Sequence, residues 1–74
     1  MKLPRLSGKK LIKILSDVGF QPVRQKGSHV IMIKEIDGNK FHTVVPLHDE
    51  IDRGTLLEII RQCRMKRDEF MKLL

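Results

Sequence analysis

A single cysteine, Cys63, in 74 residues is the feature that most limits how this chain can fold. One thiol cannot close an intrachain disulfide, and no CxxC pair is present to hold zinc, so neither of the usual cross-links of short chains is available. A domain of this size buries only about 60% of the surface that its unfolded chain exposes. The fold therefore has to come from an efficiently packed apolar core, and association with a second chain is the natural supplement. Hydrophobic residues at 41% and charged residues at 32% are enough for such a core, too apolar for disorder and too polar for a membrane span. No apolar run approaches the roughly 18 residues of a transmembrane helix. The Met1-Lys2-Leu3-Pro4 start lacks a hydrophobic region of the signal-peptide kind. One soluble domain over residues 1–74, cytoplasmic and without a membrane partner, is the expectation.

Hydrophobic spacing supplies the elements. Ser7 precedes Leu11, Ile14, Leu15 and Val18, the i, i+3, i+4, i+7 pattern of a one-faced helix, and Gly19 can end it in the left-handed conformation. Phe20 to Lys26 reads as a short strand whose Pro22 belongs at an edge or a bulge, because it cannot donate to a ladder. Gly27 permits a sharp bend. Ser28 to Ile36 is the strongest strand, and Asp37-Gly38-Asn39 turns it into Lys40 to Val45, a hairpin closed by Pro46. After a polar loop from His48 to Asp52, Leu56, Ile59, Ile60 and Cys63 mark a second helix, with Thr55-x-x-Glu58 as a capping box at its start. Phe70, Leu73 and Leu74 suggest a last helical turn. The order is α-β-β-β-α, a three-stranded antiparallel sheet with helices on one face, of the α+β class. In the central strand His29, Ile31 and Ile33 share one face while Ser28, Val30, Met32 and Lys34 share the other. Both faces are partly apolar, so a face left bare of helices calls for a partner chain.

Charge is unevenly placed. The formal net charge is +6 and the pI about 9.9, yet the first thirteen residues carry Lys2, Arg5, Lys9, Lys10 and Lys13 with no acid. The stretch from 35 to 52 is acidic, and residues 53–74 are basic again. Clustered cations suit a polyanion, nucleic acid being the commonest in the cytosol, although a charged surface also serves solubility alone.

The inventory of reactive groups is short. Carboxylate pairs at catalytic spacing, a phosphate-cradling glycine loop and a Cys-His signature are all missing, which removes most enzyme classes. His29 remains, in the run Arg24-Gln25-Lys26-Gly27-Ser28-His29. A histidine beside a glycine bend, flanked by two cations and a hydroxyl, sits where a phosphodiester can approach the backbone. Its charge change near neutral pH suits proton transfer, and Lys26 or Arg24 can stabilise a phosphorane-like transition state. The competing reading is a strand histidine without chemistry. His42 and His48 with His29 are spaced unlike any zinc pattern, so no metal is expected. His42 reads as a polar-face strand residue, His48 as a loop residue placed to contact a partner, and Cys63 as buried filler.

Several of these segments together resemble a known family. Ser7-Gly8-Lys9-Lys10, Leu15, Gly19-Phe20, Arg24-Gln25-Lys26-Gly27-Ser28-His29, Val45-Pro46-Leu47-His48, Gly54-Thr55-Leu56, Ile60-Arg61-Gln62 and Glu69-Phe70 occur in the order and spacing of the HicA toxins of HicA-HicB toxin-antitoxin modules. The resemblance covers nearly the whole chain. It implies a fold similar to a double-stranded-RNA-binding domain, ribonuclease activity on messenger RNA, a single catalytic histidine at His29, and neutralisation by a HicB-like antitoxin covering the active face. The chain departs from the family between its last two helices, where Gly and then Ser are usual and Arg64 and Lys66 stand here. Arginine in a left-handed cap costs about 1 kcal/mol relative to glycine, so the second helix is expected to run past Cys63 or to end differently.

The mechanism expected from this reading is metal-independent, cofactor-free cleavage in which the RNA 2′-hydroxyl attacks the adjacent phosphate. His29 takes the proton, Arg24, Lys26 and Ser28 hold the phosphate, and Lys9, Lys10 and Lys13 bind more distant backbone. The group that protonates the leaving oxygen is open between Lys26, His48 and water. DNA, lacking the 2′-hydroxyl, is not an expected partner of the chain alone. The alternative is a non-enzymatic RNA-binding module of the same fold, gripping A-form shape.

Overall fold

The computed structural model describes residues 3–74; Lys2, the first cation of the N-terminal block, lies outside them. Leu11, Ile14 and Leu15 form the buried face of α1 (Gly8–Asp17), as their spacing requires. The Ser7 hydroxyl accepts the Lys10 N–H at 3.1 Å and so satisfies a first-turn donor that has no partner inside the helix. Beyond the helix Gly19 adopts φ +102°, and the Phe20 N–H returns to the Leu15 carbonyl at 3.0 Å, which drops the Phe20 ring into the core.

Three strands follow within a residue of their expected limits: β1 (Gln21–Lys26), β2 (His29–Ile36) and β3 (Asn39–Pro46), antiparallel and in the order β1-β2-β3. Pro22 lies on an edge strand beside a bulge, the register shifting between Pro22 and Arg24 so that Val23 is the extra residue. Asp37 and Gly38 both take positive φ, +51° and +81°, the backbone of a tight primed hairpin turn.

Cross-strand register assigns the faces. Val30 pairs with Val45 and Met32 with Thr43, and all four are buried with Leu11, Leu15, Leu56, Ile59, Ile60 and Phe70 in one core. That is the helix-covered face. Thr43 is its one buried polar side chain among the described residues, and its hydroxyl donates to the Gln62 side-chain oxygen at 2.6 Å. The opposite face carries His29, Ile31 and Ile33 of β2, with Pro46, Val44 and His42 opposite them on β3.

Two expectations about the C-terminal half need correction. The second helix, α2 (Arg53–Gln62), starts earlier than Thr55, and its N-cap is Asp52, not Thr55. Asp52 accepts both the Thr55 N–H at 3.0 Å and the Thr55 hydroxyl at 2.7 Å, while Glu58 pairs with Arg61 at 2.6 Å rather than closing a capping box. These two bonds from Thr55 hold the Asp52 carboxyl below its ordinary pKa. The helix also does not run past Cys63. It stops at Gln62 with Arg64 in the left-handed region at φ +60°, the Met65 N–H donating to Ile60 and the Arg64 N–H to Arg61. This is the double-bonded helix end that normally takes glycine. The Arg64 guanidinium lies 5.8 Å from the Phe41 ring centroid, a contact that offsets part of the strain. At the start of α3 (Arg67–Met71) Lys66 offers no capping oxygen, and the Glu69 carboxylate instead accepts the Lys66 N–H at 2.9 Å. Phe70, fully buried, ties this short helix to the core.

Candidate functional site

The turn between β1 and β2 has only two residues, Gly27 and Ser28, and Gly27 takes φ +60°. A glycine at positive φ in the first central position is the pattern of a tight hairpin that matches strand twist. The Gln25 side-chain amide donates to the Gly27 carbonyl at 3.1 Å and holds the turn; a glutamine two residues before the glycine is the sequence signal for it, one that hydrophobic spacing does not carry. So short a turn leaves Lys26 and His29 directly opposite each other. Side chains of such a pair share a face with Cβ atoms roughly 4.5–5.5 Å apart. Arg24 pairs with Ile31 one row further in, on the same face. The face is the one without helices, and His29, Lys26 and Arg24 are all exposed on it.

A second set of contacts fixes the end of the sheet beside this pair. His29 is opposite Pro46, and the Leu47 N–H donates to the Ser28 carbonyl at 2.7 Å, which carries the ladder one residue beyond β3. The next carbonyl, that of His48, accepts the Gly8 N–H at 2.9 Å and joins the first turn of α1 to the same rim. Glycine is required there, since a Cβ on residue 8 would collide with the Pro46 carbonyl and lie 2.9 Å from the Leu47 Cα. Nothing in the composition or periodicity signals that contact.

Of the residues singled out in the sequence, Arg24, Lys26 and His29 are therefore brought together on one face by one hairpin, and Ser28, expected as the first residue of the strand, lies exposed in the turn between Lys26 and His29. Lys9 and Lys10 are exposed on the first turn of α1, whose Gly8 is bonded to the rim, and Lys13 is exposed one turn further along the helix. Of the two acids after His48, Glu50 is engaged by Arg5 at 3.3 Å. His42 pairs with Ile33, four positions up β3 from Pro46 and thus about 13 Å from the His29 end. Among the described residues no three His, Cys, Asp or Glu side chains are grouped so as to hold a metal ion. Burial pushes the Cys63 thiol up to about 11, against a smaller opposing effect of Lys34, so it stays protonated and unreactive at neutral pH. No helix is long and apolar enough to cross a membrane among the described residues.

Fold and site together define a small basic α+β protein that presents a histidine and two cations on a bare sheet face. The family described as HicA toxin of bacterial toxin-antitoxin matches residues 8–65, and the chain belongs to it. It is thus the toxin of a toxin-antitoxin module, with an antitoxin as its partner. Neither the curated proteins nor the solved structures give a significant match.

Proposed function

We propose that this toxin is an endoribonuclease that cleaves messenger RNA without a metal or cofactor, with His29 as the base. The observation that supports the reading is the direct pairing of Lys26 with His29 across the Gly27-Ser28 turn. An imidazole that removes a 2′-hydroxyl proton needs a cation close by to take up charge on the attacked phosphate, and a cross-strand neighbour is at that distance. The O2′–P bond forms as the P–O5′ bond breaks, leaving a 2′,3′-cyclic phosphate and a 5′-hydroxyl. Arg24, one row behind, and Ser28 bind the same phosphate. Lys9, Lys10 and Lys13 hold flanking backbone as point charges. The α-β-β-β-α order suits a fold of the double-stranded-RNA-binding kind, with the free sheet face as the reactive side. A HicB-like antitoxin would neutralise the toxin by covering that face, where Ile31 and Ile33 are half-buried and Val44 is 39% exposed.

Expression without the antitoxin should arrest growth, and His29→Ala should release the arrest while keeping the wild-type melting temperature, because the side chain is exposed. A folded His29→Ala protein of undiminished toxicity would overturn the assignment and favour a toxin that acts by binding alone.

A further inference from the structure

One reacting atom lacks a partner in the scheme above: the 5′-oxygen that leaves must collect a proton. We propose that His48 supplies it, an inference that rests on the endoribonuclease reading. The ladder between β2 and β3 ends formally at His29 and Pro46, but the Leu47 N–H donating to Ser28 at 2.7 Å extends it by one step. Leu47 packs against the core on the helix side. Strand alternation then returns His48 to the side of Pro46, which is the side of His29. His48 is two positions beyond the residue opposite His29, a diagonal neighbour, and diagonal neighbours are roughly 7–8 Å apart. Two imidazoles at that separation can flank one phosphate.

The His48 backbone is held from two directions, through Leu47 to Ser28 and through its own carbonyl to Gly8, while its side chain is exposed. A loop side chain on so fixed a backbone is suited to proton transfer, which demands position. Lys26 is the competing donor. An alkylammonium is a weaker acid than an imidazolium by about four pK units, so the lysine serves better as a charge on the phosphate than as a proton source at neutral pH. In the step, His29 accepts the 2′-hydroxyl proton as the O2′–P bond forms. The P–O5′ bond breaks, and the His48 imidazolium passes its proton to the departing oxygen. Exchange with water restores both rings.

The test uses an RNA whose cleavage position has been mapped with the wild-type protein, and a copy with sulfur in place of the bridging 5′-oxygen at that position. A thiolate leaves without being protonated. His48→Ala should slow cleavage of ordinary RNA by about 10²- to 10⁴-fold, the usual contribution of one acid or base, and cleave the sulfur copy nearly as fast as wild type. His48→Gln, similar in size but without an acidic proton, should behave in the same way, and His29→Ala should fail on both substrates. Equal losses on the two substrates, or full activity of either His48 variant on ordinary RNA, would overturn the inference and leave the endoribonuclease reading standing. Wild-type protein that leaves ordinary RNA intact would overturn both.

Discussion

Replacing Gly8 by alanine sets two physical effects against each other. Alanine is the better helix former by about 1 kcal/mol, and Gly8 is the first residue of α1, so propensity alone predicts a more stable protein. The added Cβ, however, meets backbone and not a movable side chain: the Pro46 carbonyl and the Leu47 Cα at 2.9 Å. Relief requires the helix to lift from the end of β3, which stretches the 2.9 Å bond from the Gly8 N–H to the His48 carbonyl. Overpacking of this kind costs about 1–3 kcal/mol, and a weakened backbone hydrogen bond about 1 kcal/mol more. Sterics should win, with a net loss of about 1–3 kcal/mol. For a domain of this length each kcal/mol moves Tm by about 4–8 °C, so Gly8→Ala should melt at least ~5 °C below wild type. Its urea midpoint should fall without a change in slope. An unchanged or higher Tm would refute the argument that α1 is seated by close backbone contact at this rim.

Arg64→Gly should raise Tm, because it removes about 1 kcal/mol of left-handed strain and gives up only a weaker, solvent-exposed contact with Phe41; a fall would mean that the contact outweighs the strain. Asp52→Ala should lower Tm at neutral pH. The Asp52 carboxyl is held below its ordinary value of 3.8 in the folded state, so its contribution is complete above that value and lost as pH falls through the lower folded one. Melting curves of wild type and variant should accordingly converge in strong acid, and a constant gap would contradict the cap. Neutralising Lys9, Lys10 and Lys13 together should weaken RNA binding and flatten the slope of log K against log salt by about two to three units, and an unchanged slope would locate the RNA elsewhere.

Much of this fold is written locally. The Leu11, Ile14, Leu15 spacing, the Ser7 cap and the Asp37-Gly38 turn each act through neighbours in sequence, and each has the expected conformation. Pro22 likewise marks both the edge strand and its bulge. Faces were harder to read, because β2 alternates two apolar sets. Only the arrival of α1 and α2 over Val30 and Met32 decides that Ile31 and Ile33 stay on the bare side. The start of α2 is ambiguous for a different reason: Asp52 and Thr55 are both capping residue types three apart, and the acid prevails by accepting two bonds from the threonine. The pairing of Lys26 with His29 is less legible, because Ser28 reads as a strand residue and only its place in a two-residue turn with Gly27 sets the two side chains opposite each other. The rim that links Ser28, Leu47, His48 and Gly8 depends on a close approach between elements distant in sequence, and no pattern of residue types announces it.

The central claim is that His29 on the bare sheet face activates the 2′-hydroxyl of RNA. The most direct measurement is digestion of a synthetic RNA, and of its copy methylated at the 2′-oxygens, in excess EDTA, with the ends of the fragments identified by mass spectrometry for wild type and for His29→Ala. The account predicts cleavage of the unmodified RNA by wild type alone, yielding 2′,3′-cyclic phosphate or 3′-phosphate ends and 5′-hydroxyls, with the methylated copy untouched. Cleavage of the methylated copy, 5′-phosphate ends, or activity lost on chelation and restored by added metal would contradict it.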